Sequence, residues 1–135
     1  MPCIVGVRRV LNLSNPIDSP PWDCDGLTPA MVEGAYRNHR YLRYPVPRMW
    51  TDDPQRHAER VAWLMAAGWS DPIEVDVGIP SLNYFPRWCV LDGNHRLYAA
   101  AVKQDREILI TVSGSLLYAA QRFGVKVSML EEQVA

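Results

Sequence analysis

Between Leu91 and Leu97 the chain reads Asp92-Gly93-Asn94-His95-Arg96, which sets a carboxylate, an amide, an imidazole and a guanidinium within five consecutive residues. The apolar run Trp88-Cys89-Val90-Leu91 leads into this turn, and the small-residue helix signal Tyr98-Ala99-Ala100-Ala101-Val102 leads out of it. A strand that stops at a glycine and opens into a helix leaves unpaired backbone N–H groups at the helix start, where the helix dipole adds partial positive charge. Such a junction attracts anions, phosphate above all. With His95 and Arg96 beside it, the chemistry in view is phosphate binding and proton transfer. A purely structural reading stands next to it: Asp-Gly is a common turn pair, Asp caps helices well, and an imidazole at a helix start can serve packing alone.

A second segment, residues 36–48, holds Tyr36, Arg37, His39, Arg40, Tyr41, Arg43, Tyr44 and Arg48, with four arginines, three tyrosines and no acid. Interleaved guanidinium and aromatic groups suit phosphate contact combined with base stacking. Arg37, Arg40, Tyr41 and Arg43 are therefore the nucleic-acid candidates. The competing reading is a solvated helix face whose tyrosines pack their rings inward. Glu74 and Asp76 alternate onto one face of a strand, where they suit either a metal or a solvated edge.

The elements that must position these groups follow from pattern and punctuation. Residues 3–11 read as a strand, and 14–26 as a loop of turn residues. Thr28-Pro29 supplies an N-cap and a first-turn proline for a helix over 29–39. Tyr44-Pro45-Val46-Pro47 is held extended by its prolines. Helix signals resume at Asp53-Pro54 and stop at Gly68, with Val61, Leu64 and Met65 joined by His57 or Ala58 in an apolar stripe. Ile73–Val77 alternates as a half-buried strand, Gly78–Pro86 forms a hairpin-type loop, and Arg87–Leu91 is the strand feeding the turn. A helix over 96–104, a strand over 108–112 and a helix from Leu116 to Phe123, opened by Ser115 and stopped by Gly124, complete the chain. Trp63, Trp69 and Cys89 read as core residues. The expected fold class is α+β, a small single domain in which helices pack on a mixed sheet.

Bulk properties narrow the function classes. The chain has 135 residues, 48% of them hydrophobic and 21% charged, which fits a globular protein and not a disordered one. A net charge of −1 makes the whole chain no magnet for nucleic acid. Arginine outnumbers lysine twelve to two, a bias that suits bidentate phosphate contacts and also follows from a GC-rich genome. Three scattered cysteines without a CxxC pair or zinc spacing point to a reducing compartment. No apolar run spans a membrane and no signal-peptide pattern is visible, so a cytoplasmic location without membrane partners is expected.

The order of parts over residues 45–113 resembles the ParB/sulfiredoxin-like superfamily. The shared features are a Pro-rich segment with an arginine, a helix, the Pro72-Ile73-Glu74-Val75 strand, an aromatic-bearing strand pair with Tyr84-Phe85, the Gly93-Asn94-His95-Arg96 turn, an Ala-rich helix and a short strand. The stretch from Pro72 to Val112, including Gln104-Asp105-Arg106-Glu107, is similar to sulfiredoxin. The Asp92-Gly93 opening is similar to ParB-type nuclease domains and ParB-fold free-serine kinases. On this resemblance residues 1–40 form an N-terminal extension packed on the core, and residues 41–135 form the ParB/sulfiredoxin-like domain.

The resemblance implies that ATP or another nucleotide binds at the turn. Gly93 would admit the phosphates to the backbone, Asn94 would lie at the site, and His95, Arg96 and Arg48 would contact phosphate oxygens. Asp92 and His95 would be the catalytic pair, with Asp92 also a ligand for magnesium. One departure counts against sulfiredoxin chemistry: Asn94 stands where sulfiredoxins carry their catalytic cysteine, and an amide cannot form a mixed disulfide. The chain is also shorter than a partitioning ParB with its DNA-reading and dimerisation parts. The leading expectation is thus a nucleotide-binding protein acting as NTPase or phosphotransferase. One alternative is a DNA-binding protein or nuclease using residues 36–48. Another is a non-catalytic interaction protein of plasmid or phage type that docks through an exposed Pro20-Pro21-Trp22 segment.

Overall fold

The computed structural model describes residues 2–131. They form an α+β chain whose elements run β1 (Cys3–Gly6), α1 (Val7–Leu13), α2 (Pro29–Arg37), α3 (Pro54–Ala67), β2 (Ile73–Asp76), β3 (Val90–Asp92), α4 (Asn94–Lys103), β4 (Glu107–Ser113) and α5 (Leu116–Phe123). Short 3₁₀ turns occupy Arg48–Trp50, Pro80–Leu82 and Val127–Met129. Internal contacts divide the chain into two compact units. The first takes in the segment up to Ser14, Asp71–Asn94 and the segment from Arg106 on; the second takes in Asn15–Ser70 and His95–Asp105.

The first unit is built on a four-stranded mixed sheet in the order β1-β4-β2-β3. β4 pairs antiparallel with β1 and parallel with β2, while β3 pairs antiparallel with β2 at the edge. The register puts Cys3 and Ile73 on either side of Ile110, and Val5 opposite Ile108. All five are buried, so the alternation of these strands turns one continuous apolar face inward. Residues 3–11 do not form the single strand expected of them. Beyond Gly6, which pairs with Glu107, β4 offers no further residue, and the last bond runs from Val7 N–H to the Arg106 carbonyl. The backbone must then satisfy itself, and it does so as α1, which buries Val7 and Val10 three residues apart. The strand expected over 87–91 is likewise shortened to Val90–Asp92, because the register shifts at Glu74/Val75.

The second unit is helical. Thr28 Oγ1 accepts the Met31 N–H at the start of α2, and Asp53 accepts the Gln55 N–H at the start of α3, each followed by a first-turn proline. Its core gathers Leu27, Val32, Ala58, Val61, Leu64, Tyr98 and Ala99, with Trp22, Trp69 and Val102 half-buried against them. α2 ends in a Schellman turn in which Arg40 N–H reaches the Ala35 carbonyl and His39 N–H reaches that of Tyr36. The left-handed position in that turn belongs to His39, at φ 54°, where glycine is usual.

Candidate functional site

The most constrained polar arrangement lies in the helical unit. His57 sits on the buried stripe of α3 with no solvent exposure at all. Its Nε2–H donates to the Thr51 carbonyl at 2.8 Å, and its Nδ1 lies 2.8 Å from Nε2 of His95. A carbonyl only accepts, so the His57 proton resides on Nε2 and Nδ1 carries a lone pair. That lone pair takes the Nε2–H of His95, which leaves His95 with its own lone pair on Nδ1. The tautomers of both rings therefore follow from one backbone carbonyl.

Trp22, from the Pro-rich loop, covers both rings. Its indole stacks on His57 at 4.6 Å between centroids and on His95 at 4.1 Å, and the two imidazoles lie 5.1 Å apart and 12° from parallel. Burial lowers the pKa of both imidazoles. For His95 desolvation is reinforced by His57 and by the Arg60 charge, which together push it to about 3. For His57 burial outweighs the opposing pull of the Thr51 bond and of Asp53. Both rings are neutral at pH 7, as the hydrogen-bond chain requires.

Charges of both signs lie near this neutral pair: Asp53 acts on His57 and Arg60 on His95. Arg60 donates from Nη1 to the Arg43 carbonyl at 2.9 Å, and its pKa is lowered by burial and then by the field of Arg96. Two guanidiniums thus share one neighbourhood with His95. Tyr98, one turn along α4, is fully buried, and its hydroxyl finds no hydrogen-bond partner among the described residues. Burial and then Cys24 raise its pKa to about 12. Cys24 is itself held as a thiol by burial and by Asp25, Asp23, Asp53 and Asp52, and Cys89 by burial and Asp76, so neither is a poised nucleophile.

The residues expected to act together are placed differently from one another. Asp92 ends β3, exposed, and its register partner across the sheet is Glu74. Gly93 adopts φ 103°, a conformation that favours glycine. Asn94 opens α4 and donates from Nδ2 to the Val90 carbonyl at 3.1 Å, so its amide braces the strand-to-helix junction. His95 and Arg96 belong to the helical unit. Arg48 opens the 3₁₀ turn that ends at Thr51, whose hydroxyl donates to the Arg48 carbonyl at 3.1 Å. Among the described residues no group of three or more His, Cys, Asp or Glu side chains is placed to hold a metal. Of the nucleic-acid candidates, Arg37, Arg40 and Arg43 are exposed. Tyr41 is half-buried, with its hydroxyl 3.1 Å from His39 Nδ1 and its ring 5.7 Å from that of Trp63.

Sequence reasoning missed His57, Thr51 and Trp22 as parts of this centre. A histidine in the apolar stripe of a helix was the available signal, since a buried imidazole needs partners at both nitrogens. The expectation that Pro20-Pro21-Trp22 is an exposed docking segment is overturned. All three are half-buried, and Trp22 is occupied by the imidazole pair. Trp63, Trp69 and Cys89, expected in the core, are half-buried. No described helix is long and apolar enough to cross a membrane. No protein-family model, curated protein or solved structure matches the chain.

Proposed function

We propose that the protein binds a nucleotide whose phosphate meets His95 and Arg96 at the start of α4, the role that the ParB/sulfiredoxin resemblance implies for these residues. The observation that carries this reading is the chain Thr51 C=O, His57, His95, which dedicates one nitrogen of His95 to the protein and leaves Nδ1 for a ligand. Arg60 and Arg96 supply the fixed positive charge that an anion needs in a desolvated site. The first backbone N–H groups of α4 add to it.

The chemistry of this chain's own residues is then definite. A phosphate arriving beside Nδ1 favours the imidazolium, so binding at pH 7 takes up a proton, and the new Nδ1–H donates to a phosphate oxygen. In hydrolysis or transfer the imidazolium so formed would stabilise charge on the phosphoryl oxygens, while His57 is a positioning residue holding the ring. Asp92, which the resemblance makes a magnesium ligand, belongs to the sheet unit, where its register partner is Glu74.

Titration calorimetry with ATP, ADP and CTP, with and without magnesium, tests the reading. Run in two buffers of different ionisation enthalpy, it is expected to report uptake of about one proton per bound nucleotide near neutral pH. Arg96→Ala is expected to weaken binding at least about tenfold, the loss of one charge-assisted contact. No heat with any nucleotide, or unchanged affinity in Arg96→Ala, overturns it.

A further inference from the structure

Residues 36–48 meet the surroundings of the imidazole pair at the Arg43 carbonyl, which accepts from Arg60, and carry a set of exposed groups that the pair does not use. We infer that this surface, with the pocket beside the end of α2, is a binding site for single-stranded nucleic acid. From Gly34 to Thr51 the sequence contains no acidic residue, and Arg37, Arg40, Arg43 and Arg48 are all exposed. The described ion pairs of this unit tie Arg56 to Asp53 and Glu59, and Lys103 to Asp105; none involves these four arginines. In a chain of net charge −1 this is a local concentration of uncompensated positive charge.

The aromatic groups select among polyanions. Tyr36 is 41% exposed and Tyr44 74% exposed, so the inward packing that would have explained them structurally holds only for Tyr41. Exposed rings between guanidiniums match the alternation of bases and phosphates in an unpaired strand, where every base has a free face to stack. A duplex hides those faces.

The pocket gives the strand a place to set one base. It is an open cavity of about 220 Å³ lined by Met31, Gly34, Ala35, Asn38, Arg40 and Gln55. Its lining is mostly polar: beside Met31 and Ala35, the Asn38 and Gln55 amides and the Arg40 guanidinium supply donors and acceptors for a base edge or its phosphate. The Schellman turn that places His39 in the left-handed region brings Asn38 and Arg40 to this pocket. Gly34 keeps it open, since a Cβ built there meets nothing within 4 Å.

The test is fluorescence anisotropy of a labelled oligothymidylate of about twenty nucleotides, with the oligouridylate and a duplex of equal length as comparators, over a salt series. Four phosphate contacts predict that log affinity falls with log salt at a slope of about −3 for the wild-type protein. The double variant Arg37→Ala/Arg40→Ala is expected to make that slope shallower by about 1.4. Tyr44→Ala is expected to weaken binding about tenfold. Gly34→Leu starts a side chain into the pocket from a position where a Cβ meets nothing within 4 Å, and is expected to weaken binding with a melting temperature unchanged or raised, since leucine is the better helix former. Absence of binding at low salt overturns the inference. So does a salt-independent affinity, equal affinity for the duplex, or wild-type affinity in both the arginine variant and Gly34→Leu.

Discussion

Each unit contains one carefully held ionisable group, and the two are held in opposite ways. In the sheet unit Asp76 Oδ1 accepts the Gly78 N–H at 2.9 Å, and Oδ2 accepts the Tyr84 hydroxyl at 3.1 Å. Its partners are two and eight residues away, and the carboxylate keeps access to water. In the helical unit His57 reaches His95 across thirty-eight residues of sequence, under an indole, with no exposure. A carboxylate at a local turn costs the fold little, because water and nearby N–H groups satisfy it whatever else happens. Two buried imidazoles are tolerated only while every nitrogen facing the interior is paired. Asp76 therefore serves a turn, whereas the imidazole pair depends on the whole unit that encloses it. This polar pair, costly to bury and less enclosed at His95 than at His57, is where the proposed function sits.

Removing the partners separates these two cases most strongly. His57→Ala empties a buried site and strands the Thr51 carbonyl and the His95 Nε2–H, so a loss of about 3 kcal/mol is expected in urea denaturation. Asp76→Ala is expected to cost about 1 kcal/mol, one net hydrogen bond. Equal losses would break the comparison. Acid acts next. Burial holds both folded imidazoles below the ordinary 6.5, His95 at about 3, so as pH falls below 6.5 the unfolded chain binds more protons than the folded one. Their contribution is complete above pH 6.5 and is lost as pH falls, with a slope of up to about 1.4 kcal/mol per pH unit from His95 and a further loss in the same direction from His57. Denaturant midpoints between pH 7 and pH 4 measure this, and a flat profile would place the imidazoles in water.

Smaller effects sharpen the contrast. Gly114 sits at φ 91°, and a Cβ there would lie 2.5 Å from the Gly78 carbonyl oxygen. Gly114→Ala is expected to cost about 2 kcal/mol through backbone strain beside Asp76, with nucleotide binding unchanged. The smallest effect concerns Tyr98, whose buried hydroxyl lacks a partner among the described residues. Tyr98→Phe is expected to leave the melting temperature unchanged or slightly raised, because it removes an unsatisfied group without opening a cavity. A drop of several degrees would mean that the hydroxyl is engaged.

Much of the architecture was legible because it is written locally. Asp53-Pro54 and Gly68 bound α3, and Ser115 and Gly124 bound α5, since caps act over three or four residues. The alternation of β2 was equally plain, as one-sided burial imposes it. The division of residues 3–13 between β1 and α1 was not, because Cys-Ile-Val-Gly-Val-Arg-Arg-Val-Leu suits both periods. What decided it was where β4 begins, a fact about another segment a hundred residues on.

The candidate site divides along the same line. Residue types and their adjacency determined that Asp92-Gly93-Asn94-His95-Arg96 is a strand-to-helix junction with anion-attracting chemistry, and that residues 36–48 carry positive charge without an acid. Neither conclusion needs a distant partner, since backbone punctuation and charge composition are properties of neighbours in the chain. Only the tertiary structure decided that His95 is neutral, that His57 and the Thr51 carbonyl set its tautomer, that Trp22 is a cover instead of a docking residue, and that Tyr41 faces inward while Tyr36 and Tyr44 do not. Protonation state and exposure depend on which atoms exclude water from which, and that is settled by packing between segments far apart in sequence.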